Sequence, residues 1–307
     1  MSLDLLIVGA GPAGVSAALW ARTVELSVLL LDGAPGPGGQ LHAVHFHPYD
    51  VPGFEHGDGE ALARVYARQL AAANVELRAG AMASALEPSP GEGAAAAVLL
   101  RTGERLEALA VLVASGVRRR RLDVPGEREL EGRGVSFSGT RDRERLAGGR
   151  VLVVGGGDAA HENALLLAAA GCDVTLLVRG RPRARAEFRA RVAAEPRIRV
   201  RTGARVLEIL GDDTVRGARV EDSAGAMEYV ADAIVVKVGV VPNSEWCAGV
   251  LALDPEGYVR VDSRLATSAR GVWAAGDITR PVPPSIPVAV GQGAQAASMV
   301  RAALRGS

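Results

Sequence analysis

Short, nearly continuous apolar runs alternate along this chain with stretches in which apolar residues return every third or fourth position. The runs Leu3–Val8 (broken only by Asp4), Ser27–Leu31, Ala110–Ala114, Val151–Val154, Asp173–Val178 and Ala233–Val238 read as strands covered on both faces. Helical spacing marks the stretches near 12–23, 58–73, 158–170 and 182–194. Short alternating segments follow the second helix (75–78, 81–87, 96–101, 104–109) and the fourth (197–202, 204–210, 215–221, 226–230). Strand, helix, strand, helix, meander and a strand ending at glycine thus occur twice, which reads as an internal duplication. Past Pro242-Asn243 the chain runs through Tyr258–Val261 to a strand at Gly271–Ala275 and a last helix predicted over 292–304. That tail is too small to fold alone and is expected to complete the first unit. The loop Gly33–Gly57 has no counterpart in the second unit, and extra loops in such domains usually serve binding. The low-complexity segment Glu87–Ala97 reads as a hairpin tip.

Each unit opens on a glycine fingerprint between strand and helix: Gly9-x-Gly11-x-x-Gly14 and Gly155-x-Gly157-x-x-Ala160. The first glycine allows the tight bend, the second lets backbone approach a pyrophosphate, and the third position packs helix on strand. Two such turns in one chain predict two bound dinucleotides. The first unit's second strand leads into Asp32, a carboxylate placed for an adenosine ribose hydroxyl. Its counterpart ends Val178-Arg179-Gly180-Arg181, with Arg183 and Arg185 behind and no acid, which suits a 2′-phosphate and hence NADPH. An arginine-rich helix start is the alternative reading.

Composition narrows the partners. The 307 residues carry zero formal net charge, so neither nucleic acid nor an anionic membrane is indicated. With 48% apolar but only 4% aromatic residues, the core is built from Ala, Val and Leu. Lys237 is the only lysine. No signal-peptide pattern and no run of membrane-spanning length is present, and a cytoplasmic address is expected. Cys172 and Cys247 sit far apart without metal-ligand spacing, so no disulfide framework and no metal are expected, and both read as core thiols. His42, His45, His47 and His56 crowd the extra loop, where metal binding, proton handling near a cofactor and plain loop structure all stay open. His161 reads as exposed or as a local cap. The run Arg118–Arg121 reads as coating the interdomain crossover or meeting an acidic partner.

Five segments in order, Gly9–Gly14, Gly38-Gly-Gln-Leu41, Val124-Pro-Gly-Glu127, Gly155-Gly-Gly-Asp158 and Gly271–Asp277, make the chain resemble the thioredoxin reductase group of two-domain flavoproteins over essentially its whole length. The resemblance implies an α/β fold with two three-layer (ββα) dinucleotide-binding Rossmann-like domains. The second (117–243) is inserted into the first (1–116 and 244–307). It assigns FAD to the first domain through Gly9, Gly11, Pro12, Ala13, Gly14, Asp32, Gly39, Gln40, Leu41, Asp50, Ser115, Gly116, Gly276, Asp277, Pro287 and Val288. NADPH falls to Gly155, Gly157, Asp158, Ala159, Ala160, Arg179, Arg181, Arg183 and Gly239. Gly39 and Gln40 would lie along the isoalloxazine, Asp277 on the ribityl and pyrophosphate region, and a last helix starting near Gly291 would aim its N-terminus at the flavin. A homodimer is also implied.

The departures redirect the function. Where that group carries Cys-x-x-Cys-Asp, the aligned stretch here is Phe137-Ser138-Gly139-Thr140-Arg141-Asp142, and only the acid remains. Its Arg-Gln pair becomes Pro284-Ser285, and Ala159 replaces a serine. The related ferredoxin/flavodoxin–NADP reductases naturally lack the cysteines and share the pattern Tyr49-Asp50-Val51-x-Gly53-Phe54. The expected activity is transfer of hydride from NADPH to FAD and on to a protein or small-molecule acceptor, without a protein dithiol, with His42, His45 and Asp142 as catalytic candidates. A sensor without turnover and a disulfide reductase using a non-standard route are the alternatives.

Overall fold

β1 (Leu5–Val8) is wholly buried, and its alternate residues divide between two cores. Leu5 and Ile7 pack among helices, while Leu6 and Val8 face a second layer of strands, which is why the run is apolar without a break. In the computed structural model, which describes residues 3–89, 91 and 95–305, the chain divides into two units. One comprises the residues up to Arg118 and from Val241 onward, the other Arg119–Val240.

In the first unit, β1 leads to α1 (Pro12–Thr23), β2 (Val28–Asp32), α2 (Gly59–Ala72) and β3 (Glu76–Ala79). An antiparallel meander follows, β4 (Ala83–Glu87), β5 (Ala96–Leu100) and β6 (Arg105–Ala108), then β7 (Ala110–Val113) and the crossover strand β8 (Val117–Arg119). The tip expected at Glu87–Ala97 lies partly outside the described residues. The second unit runs β9 (Val135–Ser136), α3 (Gly139–Leu146), β10 (Arg150–Val154), α4 (Asp158–Ala169), β11 (Asp173–Val178), α5 (Ala186–Ala194) and β12 (Ile198–Thr202). Its meander is β13 (Arg205–Gly211), β14 (Val215–Asp222) and β15 (Gly225–Val230), closed by β16 (Ala233–Val236). The chain returns over β17 (Val240–Pro242) and finishes with β18 (Val272–Ala274) and α6 (Ile286–Arg305).

Each unit holds a five-stranded parallel sheet, β18-β7-β1-β2-β3 in one and β9-β16-β10-β11-β12 in the other. Helices cover one face of each sheet and the meander the other, so each unit is a three-layer ββα sandwich on one plan. The central strands β1 and β10 are the ones followed by the glycine turns.

Two helix boundaries differ from the sequence reading. α6 begins at Ile286, several residues before the predicted start. Gly293, inside the predicted span, is where α1 presses against the helix: a Cβ there would sit 2.1 Å from Ala13 O. Ser16 Oγ donates to Val290 O (2.7 Å) and Trp20 Nε1 to Ser298 Oγ (2.6 Å), fixing the same pair of helices. α5 begins at Ala186 rather than near 182, because the preceding residues are drawn onto the second glycine turn.

Candidate functional site

At the end of β1, Gly9 adopts φ 110°, and a Cβ there would lie 2.3 Å from Ala114 O. At Gly14 an added Cβ would fall 1.8 Å from Gly9 O, so the third glycine is where helix meets turn. Gly11 is different. Its backbone is extended (φ −74°, ψ −175°), and a Cβ would meet nothing within 4 Å. Bare backbone at the N-terminus of α1, opened by Pro12 and Ala13, is an anion-facing surface. Gly39 lays a second strip of backbone beside it, since its Cβ would sit 3.1 Å from Gly11 Cα. Asp32 is oriented by Ala10 N (2.6 Å to Oδ2) and Ala34 N (2.7 Å to Oδ1), with lone pairs left for ribose hydroxyls.

The tail joins the same place. A Cβ on Gly276 would lie 2.8 Å from Ala13 Cβ, and Gly276 N donates to Gln292 Oε1 at 2.8 Å. Asp277 follows, half-buried, and its carboxylate makes no hydrogen bond or ion pair among the described residues; burial pushes its pKa up. A half-buried carboxylate with no donor of its own suits a ligand donor such as a polyol hydroxyl. Pro287 and Val288 lie in the first turn of α6, so the helix N-terminus is there and not at Gly291. Ser115 and Gly116 are clamped by Asn243, whose Nδ2 donates to Ser115 O (2.8 Å) and whose N donates to Gly116 O (3.0 Å). Gln292 and Asn243 escaped the sequence reading. Their signals were a polar residue between two glycines and a Pro-Asn just after the crossover.

Three other assigned residues have different surroundings. Leu41 is buried in the helix-side core, Gln40 Nε2 donates to Val117 O (2.8 Å), and Asp50 is exposed. In the histidine loop, His47 stacks on Phe54 (centroids 5.6 Å), meets Tyr49 edge-on (4.7 Å) and donates from Nδ1 to Gly57 O (3.0 Å). His47 therefore organises the loop. His42 Nδ1 pairs with Glu60 Oε2 at 2.6 Å. Among the described residues no group of three or more His, Cys, Asp or Glu is placed to hold a metal.

The second turn repeats the first. Gly155 has φ 147° and a Cβ there would lie 2.1 Å from Lys237 O, while Gly157 is extended with nothing within 4 Å. Ala160 is buried against the sheet, and Gly239 is exposed with open space at its Cβ. Beyond β11, Arg183 N and Ala184 N both donate to Gly156 O (2.7 and 3.0 Å), curling this segment onto the turn. Arg179, Arg181 and Arg183 are exposed, and their guanidiniums make no hydrogen bond or ion pair among the described residues. Asp158 is already engaged: Arg185 N and Nε donate to it, each at 2.7 Å, and hold its carboxyl below the usual range. Ala159 O accepts from Asn163 Nδ2 (2.7 Å). His161 is buried, not exposed, and caps locally by donating from Nδ1 to Gly157 O (3.0 Å).

The stretch Phe137–Asp142 is built as structure. Ser138 caps α3 by accepting from Arg141 N (3.2 Å). Asp142 is buried, which works to raise its pKa, but hydrogen bonds from Arg141 (2.9 Å) and Ser136 and the charges of Arg141 and Arg145 outweigh that and hold it low. An acid so held is an ionised anchor of α3, a structural use for this catalytic candidate. Cys172 and Cys247 are fully buried and donate to Leu146 O (3.1 Å) and Ser244 O (3.2 Å). Burial raises both thiols, Cys247 to about 11, so neither offers a thiolate. The Val124–Glu127 motif is structural as well: buried Glu127 accepts from Leu122 N (3.0 Å) and Asp123 N (2.8 Å). In the arginine run, Arg118 pairs with Glu245 (2.5 Å), and Arg121 pairs with Glu131 (2.6 Å) and lies over the Phe137 ring (5.1 Å).

Residues 3–293 match the pyridine nucleotide-disulphide oxidoreductase family. The chain is 34% identical over 302 residues to an alkyl hydroperoxide reductase component of Pseudomonas putida, covering 96% of this chain but 57% of the relative, so it spans little more than half that protein's length. It is 36% identical over 295 residues to a ferredoxin–NADP reductase of Thermus thermophilus, covering 90% of this chain and 84% of the relative. Among solved structures, thioredoxin reductase of Lactococcus lactis superposes with a TM-score of 0.81 at 28% identity, over 98% of each chain.

Proposed function

The chain belongs to the pyridine nucleotide-disulphide oxidoreductase family, and on that premise we propose that it is a flavoenzyme moving reducing equivalents from NADPH through FAD to an acceptor without a protein dithiol. FAD would be held by the Gly9–Gly14 turn, Asp32, Gly39, Asp277 and the first turn of α6. The bare backbone at Gly11 and the unpartnered Asp277 carboxylate support that fit. Bound FAD supplies a ring that takes up a hydride and can release its electrons singly. The chain's part is to anchor hydroxyls through Asp32 and Asp277 and to offer the N-terminal dipole of α6 to negative charge. NADPH belongs to the second unit, where Gly157 meets the pyrophosphate and Arg179, Arg181 and Arg183 meet the 2′-phosphate. His42, backed by Glu60, and His45 remain the proton-handling candidates.

The observation that carries this reading is the contrast between the two strand ends. One is a carboxylate held by two backbone N–H groups, the other three exposed guanidiniums with no partner of their own. Buried thiols and the structural use of Phe137–Asp142 support direct delivery. The acceptor is a ferredoxin- or flavodoxin-type carrier or a small molecule, reduced in the cytoplasm by a homodimer. An apolar groove of about 600 Å³ on the FAD unit, lined by Val15, Leu19, Trp20, Phe54, Tyr66 and Val290, supports self-association. Among the described residues no helix is long and apolar enough to cross a membrane. Anaerobic mixing of the purified yellow protein with NADPH tests the reading. Rapid bleaching of the flavin is expected, and binding without bleaching would make the protein a sensor instead.

A further inference from the structure

The chain's 35 lysines and arginines include a single lysine, Lys237, and it lies directly beyond the C-terminal end of β16. Its backbone is locked against the second glycine turn. Lys237 N donates to Val154 O at 2.7 Å, and its carbonyl faces Gly155 so closely that no side chain fits there. β16 flanks β10 on the side opposite β11, so Lys237 stands at the point where strand order reverses. At such a point a dinucleotide splits, one half passing over β11 and the other over β16. Residues alternate along β16, with Ala233 and Val235 on the helix side, and Lys237 continues that series toward the face from which α4 starts.

The side chain is half-buried, and its amine makes no hydrogen bond or ion pair among the described residues. Burial and the nearby charge of Arg119 lower its pKa to about 8, with Glu162 on α4 opposing them. Arg119 is itself lowered, by burial and then by Arg141, with Glu131 opposing them. A half-buried ammonium beside another cation is a costly arrangement that an anion would relieve. The backbone on either side, at Gly157 and Gly239, is open.

We propose that the Lys237 amine binds the nicotinamide-side phosphate of the dinucleotide in the second unit. This rests on the assignment of NADPH to that unit and divides the ligand's recognition. The arginines beyond β11 read the 2′-phosphate on the adenosine half, and Lys237 reads the phosphate across the turn. An ammonium serves here as a compact point charge that titrates, where a guanidinium would stay charged at every pH.

Binding of three ligands to the FAD-loaded protein tests it: NADPH, 2′-phospho-ADP-ribose, which lacks only the nicotinamide, and 2′,5′-ADP, which lacks the second phosphate as well. Lys237→Ala should weaken the first two about tenfold and leave 2′,5′-ADP unchanged. In the wild type, affinity for the first two should fall as pH rises through about 8, where the 2′-phosphate is already doubly ionised, and Lys237→Arg should flatten that fall. No effect of Lys237→Ala, an equal loss for all three ligands, or a loss confined to NADPH would overturn the proposal. The underlying assignment is checked separately with Arg179→Ala/Arg181→Ala. All three ligands should weaken in that variant, and unaltered binding would reject the site itself.

Discussion

Replacing Gly11 by alanine separates a glycine kept for a ligand from a glycine kept for the fold. Gly11 has φ −74° and ψ −175°, a conformation open to alanine, and its added Cβ meets no atom within 4 Å. The FAD-free variant should therefore be about as stable as the parent. A gain of roughly 0.4–1 kcal/mol from the stiffer unfolded chain is offset in part by alanine's poorer fit at an N-cap, leaving Tm within about 2 °C. The same methyl would enter the space where a pyrophosphate meets the N-terminus of α1. Pushing a phosphate oxygen out of hydrogen-bond range forfeits a charge-assisted bond of about 1.5–3 kcal/mol, which is about tenfold to a hundredfold in Kd. Gly14→Ala is the contrast: its Cβ would lie 1.8 Å from Gly9 O, so the turn itself must open, and Tm should fall sharply. The assay is calorimetry of the flavin-free variants together with FAD titration followed by flavin fluorescence. Wild-type FAD affinity in Gly11→Ala, or a Tm loss matching that of Gly14→Ala, would refute the reasoning.

Other consequences follow from the same geometry. Arg179→Ala/Arg181→Ala should raise Kd for NADPH about tenfold and leave NADH nearly unchanged, checked by titration at low salt. Asp277 is raised above its unfolded value of 3.8, so the folded FAD-free protein binds its proton more tightly and loses stability as pH climbs from 3.8 to the raised value. Asp277→Asn should remove that loss in thermal melts while weakening FAD. His47→Ala should expose the loop to proteolysis, yet leave the rate of flavin reduction by NADPH unchanged, because His47 packs among Tyr49, Phe54 and Gly57. Cys172→Ser/Cys247→Ser should retain NADPH oxidation by any acceptor the wild type uses.

The duplicated plan was legible because each central strand is apolar on both faces and each is followed by a glycine turn, features that depend on local sequence alone. What escaped depends on contacts distant in sequence. The close approach of Ala13 to Gly293 could not be read from either segment alone, whereas Ser285 before Pro287 was a local start signal passed over. Arg185 stood in the same run as the arginines assigned to the phosphate, but Asp158, a helix and a strand earlier, claims it. Leu41 followed two residues of a recognisable loop and was grouped with them, whereas its burial in the helix-side core depends on packing against distant residues. The resemblance that made Asp142 a catalytic candidate carried no information about Arg141, Arg145 and Ser136, which surround it and hold it ionised.

Direct delivery of electrons without a protein dithiol is the central claim, and an anaerobic reductive titration measures it. FAD takes up two electrons, and an exchangeable cysteine pair would take up two more. The fully oxidised protein titrated with dithionite should reach complete flavin reduction at one equivalent per FAD, with no lag and no thiols newly reactive to a thiol reagent. An endpoint at two equivalents, with two thiols appearing per chain, would contradict the account.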